Sequence, residues 1–124
     1  MNTMDKYHLH FRAEFTIEDG RREAFKELIQ EMARAVQENE PYTITYQFYL
    51  NKANAKCIVH ETYANSEAAF THMNGVASKT ILPKIFEIAK LNRFDAYGIP
   101  SEELQKVLTM FGSEIYHLFT GFSR

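Results

Sequence analysis

The stretch VHETYANSEAAFTHM, residues 59–73, changes periodicity halfway along. Val59, Glu61 and Tyr63 alternate with His60 and Thr62, the period of two that marks a strand. Asn65 and Ser66 are helix-capping residue types, and beyond them Ala68, Ala69, His72 and Met73 recur at helical spacing. A strand therefore runs almost directly into a short helix ending near Gly75. The junction crowds two histidines and two glutamates into fifteen residues.

Upstream, residues 7–15 alternate as a strand, with Tyr7, Leu9, Phe11, Ala13 and Phe15 on one face. Thr16 or Glu18-Asp19 opens a helix to about residue 38, carrying Phe25, Leu28, Ile29, Met32 and Val36 on its inner side. Asn39-Glu40-Pro41 stops it, because a residue before proline is pushed out of the helical region. Residues 42–50 form a second strand, with Ile44, Tyr46, Phe48 and Leu50 sharing one face. Residues 51–55 make a turn into the third strand, 56–64, where Glu61 points with Val59 and Tyr63.

Downstream, a helix is expected over residues 81–91, with Pro83 in its first turn, and a strand over 93–97. Ser101 caps a helix to about Phe111, closed by Gly112, and residues 114–122 read as a last strand. The order is β-α-β-β-α-β, a ferredoxin-like split βαβ plan of the α+β class with an antiparallel sheet, plus a C-terminal helix and strand. The expected division is a single domain, with a core at about 7–98 and an extension at 99–124. Such a sheet carries helices on one face only. The uncharged second strand and Ile58 predict cover for the other face, most simply a second copy in a homodimer.

At 124 residues the chain can bury a core without metal or disulfide staples. Net charge of −2 with interleaved signs gives no electrostatic case for nucleic acid or an anionic membrane surface. The single cysteine, Cys57, excludes an internal disulfide framework, fits a reducing cytoplasm and reads as an inert core thiol. No apolar run approaches membrane-spanning length. Ten Phe and seven Tyr supply an aromatic core, a pocket for a flat organic molecule, or both.

His72 lies beside Ala68 and Ala69 and is expected to be half-buried between helix and sheet. It reads either as a general base, since imidazole titrates near neutrality, or as a packed histidine bonded to backbone or water. Glu61 under the helices would have its pKa raised by burial and act as a base or orient an imidazole; otherwise it is a strand-end carboxylate paired with a cation. Tyr46 and Tyr63 either line the same cavity or reach solvent at the core edge. His8 and His10 share a strand face at a spacing that one metal ion could bridge, but no third ligand is evident, so no metal site is assigned. Gly20, Gly75, Gly98, Gly112 and Gly121 are too scattered for a phosphate or dinucleotide loop.

Three segments together carry a resemblance: N-E-P-x-T-x-x-Y-x-F-Y at 39–49, H-E-T-Y at 60–63 and S-E-A-A-F-x-H-M at 66–73. The set resembles the antibiotic biosynthesis monooxygenase family, small dimeric α/β-barrel proteins related to quinol monooxygenases, over about residues 7–98. The resemblance implies an oxygenase working without cofactor on a phenolic, quinol or polyketide-like aromatic substrate. It implies His72 as base or substrate hydrogen-bond partner and Glu61 orienting it. Tyr46 and Tyr63 would hold oxygen atoms, and Phe48 and Phe70 complete the expected substrate contacts. Haem-degrading relatives of this fold use an Asn-Trp-His set, and this chain contains no tryptophan. An acid–base isomerase and a non-catalytic ligand-binding dimer use the same pocket, because fold does not fix the reaction.

Overall fold

A computed structural model describes residues 6–124. The elements are β1 (Leu9–Ile17), α1 (Arg22–Asn39), β2 (Thr43–Leu50), β3 (Lys56–Tyr63), α2 (Ser66–Met73), α3 (Val76–Thr80), α4 (Leu82–Phe86), β4 (Ala89–Tyr97), α5 (Glu102–Met110) and β5 (Ile115–Tyr116). The strands form one open sheet in the order β2-β3-β1-β4-β5, and all helices that bury apolar residues pack on one side of it. The first four strands give the antiparallel ferredoxin-like plan; β5 runs parallel to β4, so the whole sheet is mixed. No helix among the described residues is long and apolar enough to cross a membrane.

Alternation in β1 buries Leu9, Phe11, Ala13, Phe15 and Ile17 on the helix-covered face. The expected boundary shifts by two residues. Tyr7 lies outside the strand and is exposed, while Ile17 continues the inward series. Gly20, at φ +80, turns the chain so that α1 begins only at Arg22, later than Thr16 or Glu18. Helix α1 lays Phe25, Ile29, Met32 and Val36 on the sheet.

Two irregularities interrupt the strict alternation. In β2, Thr43 pairs with Tyr63 and Thr45 with Thr62, leaving Ile44 as the extra residue of a bulge. Ile44 is therefore exposed rather than sharing the face of Tyr46, Phe48 and Leu50. In β4, Leu91 pairs with Phe15 and Arg93 with Glu14, so Asn92 is extra and its amide donates to Thr16 Oγ1 at 2.7 Å. That bulge allows Leu91 and Phe94, three residues apart, to line the same cavity.

The expected helix over 81–91 is corrected to two short helices and an earlier strand. Pro83 lacks an N–H and sits in the first turn of α4, which is separated from α3 at Ile81. The helix ends at Phe86 and the chain enters β4 at Ala89, where backbone pairing with Ile17 replaces helical bonds. The apolar run IFEIAKL suits either period, and pairing with β1 decides it.

The extension packs on the same sheet face. Ser101 caps α5 by accepting the Leu104 N–H at 3.2 Å, and Leu104 and Leu108 are fully buried against Leu9, Phe11 and Ala96. The expected strand over 114–122 is reduced to Ile115–Tyr116. Asp95 anchors its start by accepting the Glu114 N–H at 3.0 Å, while Arg93 holds the same carboxylate from the side. Leu118, Phe119 and Phe122 beyond it are exposed. Gly98, at φ +125, permits the bend between β4 and α5; a Cβ there would meet the His8 carbonyl at 2.9 Å.

Candidate active site

The junction between β3 and α2 forms the wall of a cavity of about 450 Å³ between helices and sheet. Asn65 caps α2, its side chain accepting the Ala68 N–H at 2.9 Å. Ala68 and Ala69 are small enough for the helix to sit close against the sheet. His72, one turn on, is thereby driven inward. It is buried, deeper than the half-burial its wheel position predicts.

Its Nδ1 lies 2.8 Å from Oε1 of Glu40, a residue read from sequence only as part of a helix stop. Glu40 is the C-cap of α1, with its N–H donating to the Val36 carbonyl at 2.9 Å and its carbonyl accepting from the Thr43 N–H at 3.1 Å. Both ends of this residue are thus fixed, and its side chain is buried instead of reaching water. Thr43 Oγ1 donates to the same carboxylate oxygen at 3.1 Å. The bulge at Ile44 makes this possible, since it sets Thr43 opposite inward-facing Tyr63. Gly75 supplies the remaining room: a Cβ there would stand 3.1 Å from Glu40 Oε2 and 3.1 Å from the Thr71 carbonyl.

The other ring nitrogen faces the cavity. His72 Nε2 is 4.0 Å from Glu61 Oε1 and 3.5 Å from Ser78 Oγ, both longer than a good hydrogen bond. Ser78 instead donates to the His72 carbonyl at 2.6 Å and ties the end of α2 to α3. With the Glu40 carboxylate at Nδ1, we assign the ring proton to that nitrogen, which leaves the Nε2 lone pair toward the cavity.

Glu61 stands on β3 with Val59 and Tyr63, buried under the helices. Burial raises its pKa; His72 and a 2.5 Å hydrogen bond donated by Tyr63 pull in the opposite direction. Tyr63 and Tyr46 are likewise held well above the ordinary phenol value, by burial first and then by the Glu61 charge, so both remain neutral donors. The Tyr46 ring lies 5.0 Å from the His72 ring and 5.2 Å from Phe48. Among the described residues the Tyr46 hydroxyl has no hydrogen-bond partner, in contrast to that of Tyr63. Chemically the cluster offers a base at Nε2, a carboxyl biased toward its acid form and a phenol donor, all beside one apolar space.

The expected residues separate accordingly. His72, Glu61, Tyr46 and Phe48 line the cavity. Tyr63 stands behind Glu61, fully buried, with its ring 5.4 Å from His72. Phe70 lies on the other side of α2, lining a groove with Ser66, Ser101 and Lys106. Cys57 is buried in the core, and burial pushes its thiol up to about 12. His10 Nδ1 is 2.9 Å from Thr62 Oγ1 on the outer sheet face; among the described residues no three His, Cys, Asp or Glu come together as a metal site.

The family model described as antibiotic biosynthesis monooxygenase matches residues 9–83. Among solved structures, MupZ from Pseudomonas fluorescens is similar at a TM-score of 0.80 and 24% identity, covering 94% of each chain. A Caulobacter crescentus protein provisionally assigned as an antibiotic biosynthesis monooxygenase is similar at a TM-score of 0.68 and 17% identity, covering 77% of this chain and 92% of that one. A point mutant of SnoaB, a cofactor-independent oxygenase from Streptomyces nogalater, gives a TM-score of 0.66 and 8% identity, covering 77% of this chain and 95% of that one. No curated protein matches by sequence. With its model matched from the first strand to the fourth helix, the chain belongs to the antibiotic biosynthesis monooxygenase family.

Proposed function

We propose that this protein is a cofactor-independent acid–base enzyme whose base is His72, backed by Glu40, and whose acid is Glu61. The observation that carries this reading is the buried imidazole between two buried carboxylates, its Nε2 turned to an otherwise apolar cavity. A phenol or quinol would enter with its oxygenated end at His72. Nε2 would take a proton, and the oxyanion that develops would be met by Glu61 and the Tyr46 hydroxyl. In the monooxygenase form, the electron-rich anion reduces dioxygen. One oxygen atom enters the substrate as a carbonyl and the other leaves as water, in exchange for two substrate hydrogens.

Oxygen uptake with a panel of hydroquinones tests this directly. Uptake is expected to fall by about 10²- to 10⁴-fold in His72→Gln; undiminished uptake would remove His72 from the chemistry. A proton-transfer reaction without oxygen, such as an isomerisation, is the second reading. It is favoured by the placing of Glu61 4.0 Å from His72 Nε2, since a base and a carboxyl of raised pKa beside one apolar space can move a proton within a substrate without oxygen. Solvent deuterium entering a substrate under anaerobic conditions, with no uptake in air, would select it. We further propose a homodimer through the uncovered sheet face, supported by exposed Ile44 and Tyr49 on that side.

A further inference from the structure

The distribution of polar groups in the cavity constrains what can occupy it. Sixteen residues line it, and four are polar: Tyr46, Glu61, His72 and Ser78. Three of them are gathered around the imidazole of the fourth, His72, with Ser78 at 3.5 Å, Glu61 at 4.0 Å and the Tyr46 ring at 5.0 Å. The other twelve lining residues are all apolar, and no lysine or arginine is among them. Phe86, Leu91 and Phe111 are the exposed members of the lining and mark the mouth, Tyr46 and Ser78 are half-buried, and Glu61 and His72 are buried.

We propose that the substrate is an uncharged molecule with its oxygen atoms confined to one end and an unsubstituted hydrocarbon body, bound oxygen end first toward His72. This rests on the reading of His72 as the reacting end and narrows its substrate class. A hydroxyl carried midway along the body would be buried against phenylalanine and leucine without a partner, lowering affinity by about five- to a hundredfold for each such group. A carboxylate or phosphate at the His72 end would meet the buried Glu61 carboxyl, with no lysine or arginine in the lining to hold it. An apolar body longer than the cavity can leave between Phe86 and Phe111, where the walls stay apolar up to solvent.

Titration calorimetry with the full chain tests this by binding, independently of turnover. The probes are an octyl-substituted hydroquinone, a hydroquinone bearing a ring carboxylate, and a naphthacene hydroxylated on every ring. The octyl compound is expected to bind at least about tenfold more tightly than either of the others. Equal or tighter binding of the carboxylate or the polyhydroxylated compound overturns the inference, as does the absence of measurable binding by the octyl compound. Oxygen uptake recorded on the same samples separates the two claims. Tight binding of the octyl compound without uptake sinks the oxygenase reading and supports this one. Uptake with a preference for the polyhydroxylated compound does the reverse.

Discussion

Glu40 and Glu61 flank one imidazole, yet their environments predict opposite responses to neutralisation. Glu40 Oε1 meets His72 Nδ1 and the Thr43 hydroxyl, so Glu40→Ala leaves the buried His72 Nδ1 and the half-buried Thr43 hydroxyl without this partner and should cost about 1–3 kcal/mol in urea unfolding. Glu61 has a raised pKa, mainly through burial, so the folded state holds its proton more tightly than the unfolded chain. The stability this gives is complete below the ordinary value of 4.5 and is lost as pH rises through the folded value. Glu61→Gln keeps an acceptor for Tyr63 and removes that loss. It should therefore leave stability at neutral pH unchanged or raised, and a drop as large as that of Glu40→Ala would contradict the assignment. His72 and Glu61 were legible in sequence because strand and helix periodicities aim both inward. Glu40 is the next step of the inward series Phe25, Ile29, Met32 and Val36, but a carboxylate at a helix stop reads as one that reaches water; its burial depends on the Ile44 bulge and the space left at Gly75.

At the scale of elements, the site depends on how closely α2 approaches the sheet. Ala69 is fully buried beneath it, so Ala69→Leu should push the helix outward and destabilise the fold by about 1–3 kcal/mol. The same shift carries His72 off Glu40, and unchanged catalysis in a folded Ala69→Leu protein would show that this spacing is not needed. Gly75→Val tests the opposite wall, where a side chain must displace the Glu40 carboxylate or the end of α2; a lower unfolding midpoint is expected. The element order through β3 and α2 could be read from alternation, capping residues and Pro41 alone. The region after Gly75 could not: Pro83 and an apolar run of mixed period leave helix and strand equally served, and only pairing with β1 selects a strand from Ala89. The last strand is shorter than its apolar sequence predicts because only Ile115–Tyr116 has β4 to pair with, while the apolar residues after it remain exposed.

For the whole molecule, the open sheet leaves an outer face of mixed character. Tyr49, His60 and Ile58 lie there beside the Arg12–Glu14 and Arg93–Asp95 pairs. Uncharged β2, from which a second buried surface is read in the sequence, makes up only one edge of this face, and the ion pairs occupy the rest. A homodimer through this face predicts a solution mass twice the 14.5 kDa of one chain, and a stable monomer at micromolar concentration would contradict it. Alkaline stability tests the core as a unit. Cys57, raised from 9.0 to about 12, keeps its proton in the folded state when the unfolded chain has lost it. Its contribution is thus present below the unfolded value and disappears as pH rises toward the folded one. The urea midpoint should fall between about pH 9 and pH 12, and Cys57→Ala should reduce the fall.

The proposed chemistry turns on one proton, the one assigned to Nδ1 of His72. A long-range proton–nitrogen correlation spectrum of protein labelled with nitrogen-15 in its histidines reads that position directly. A base at Nε2 requires a neutral ring protonated at Nδ1, held by Glu40 and altered in Glu40→Gln, with an unprotonated Nε2 facing the cavity. A ring protonated at Nε2, or at both nitrogens under assay conditions, would contradict it.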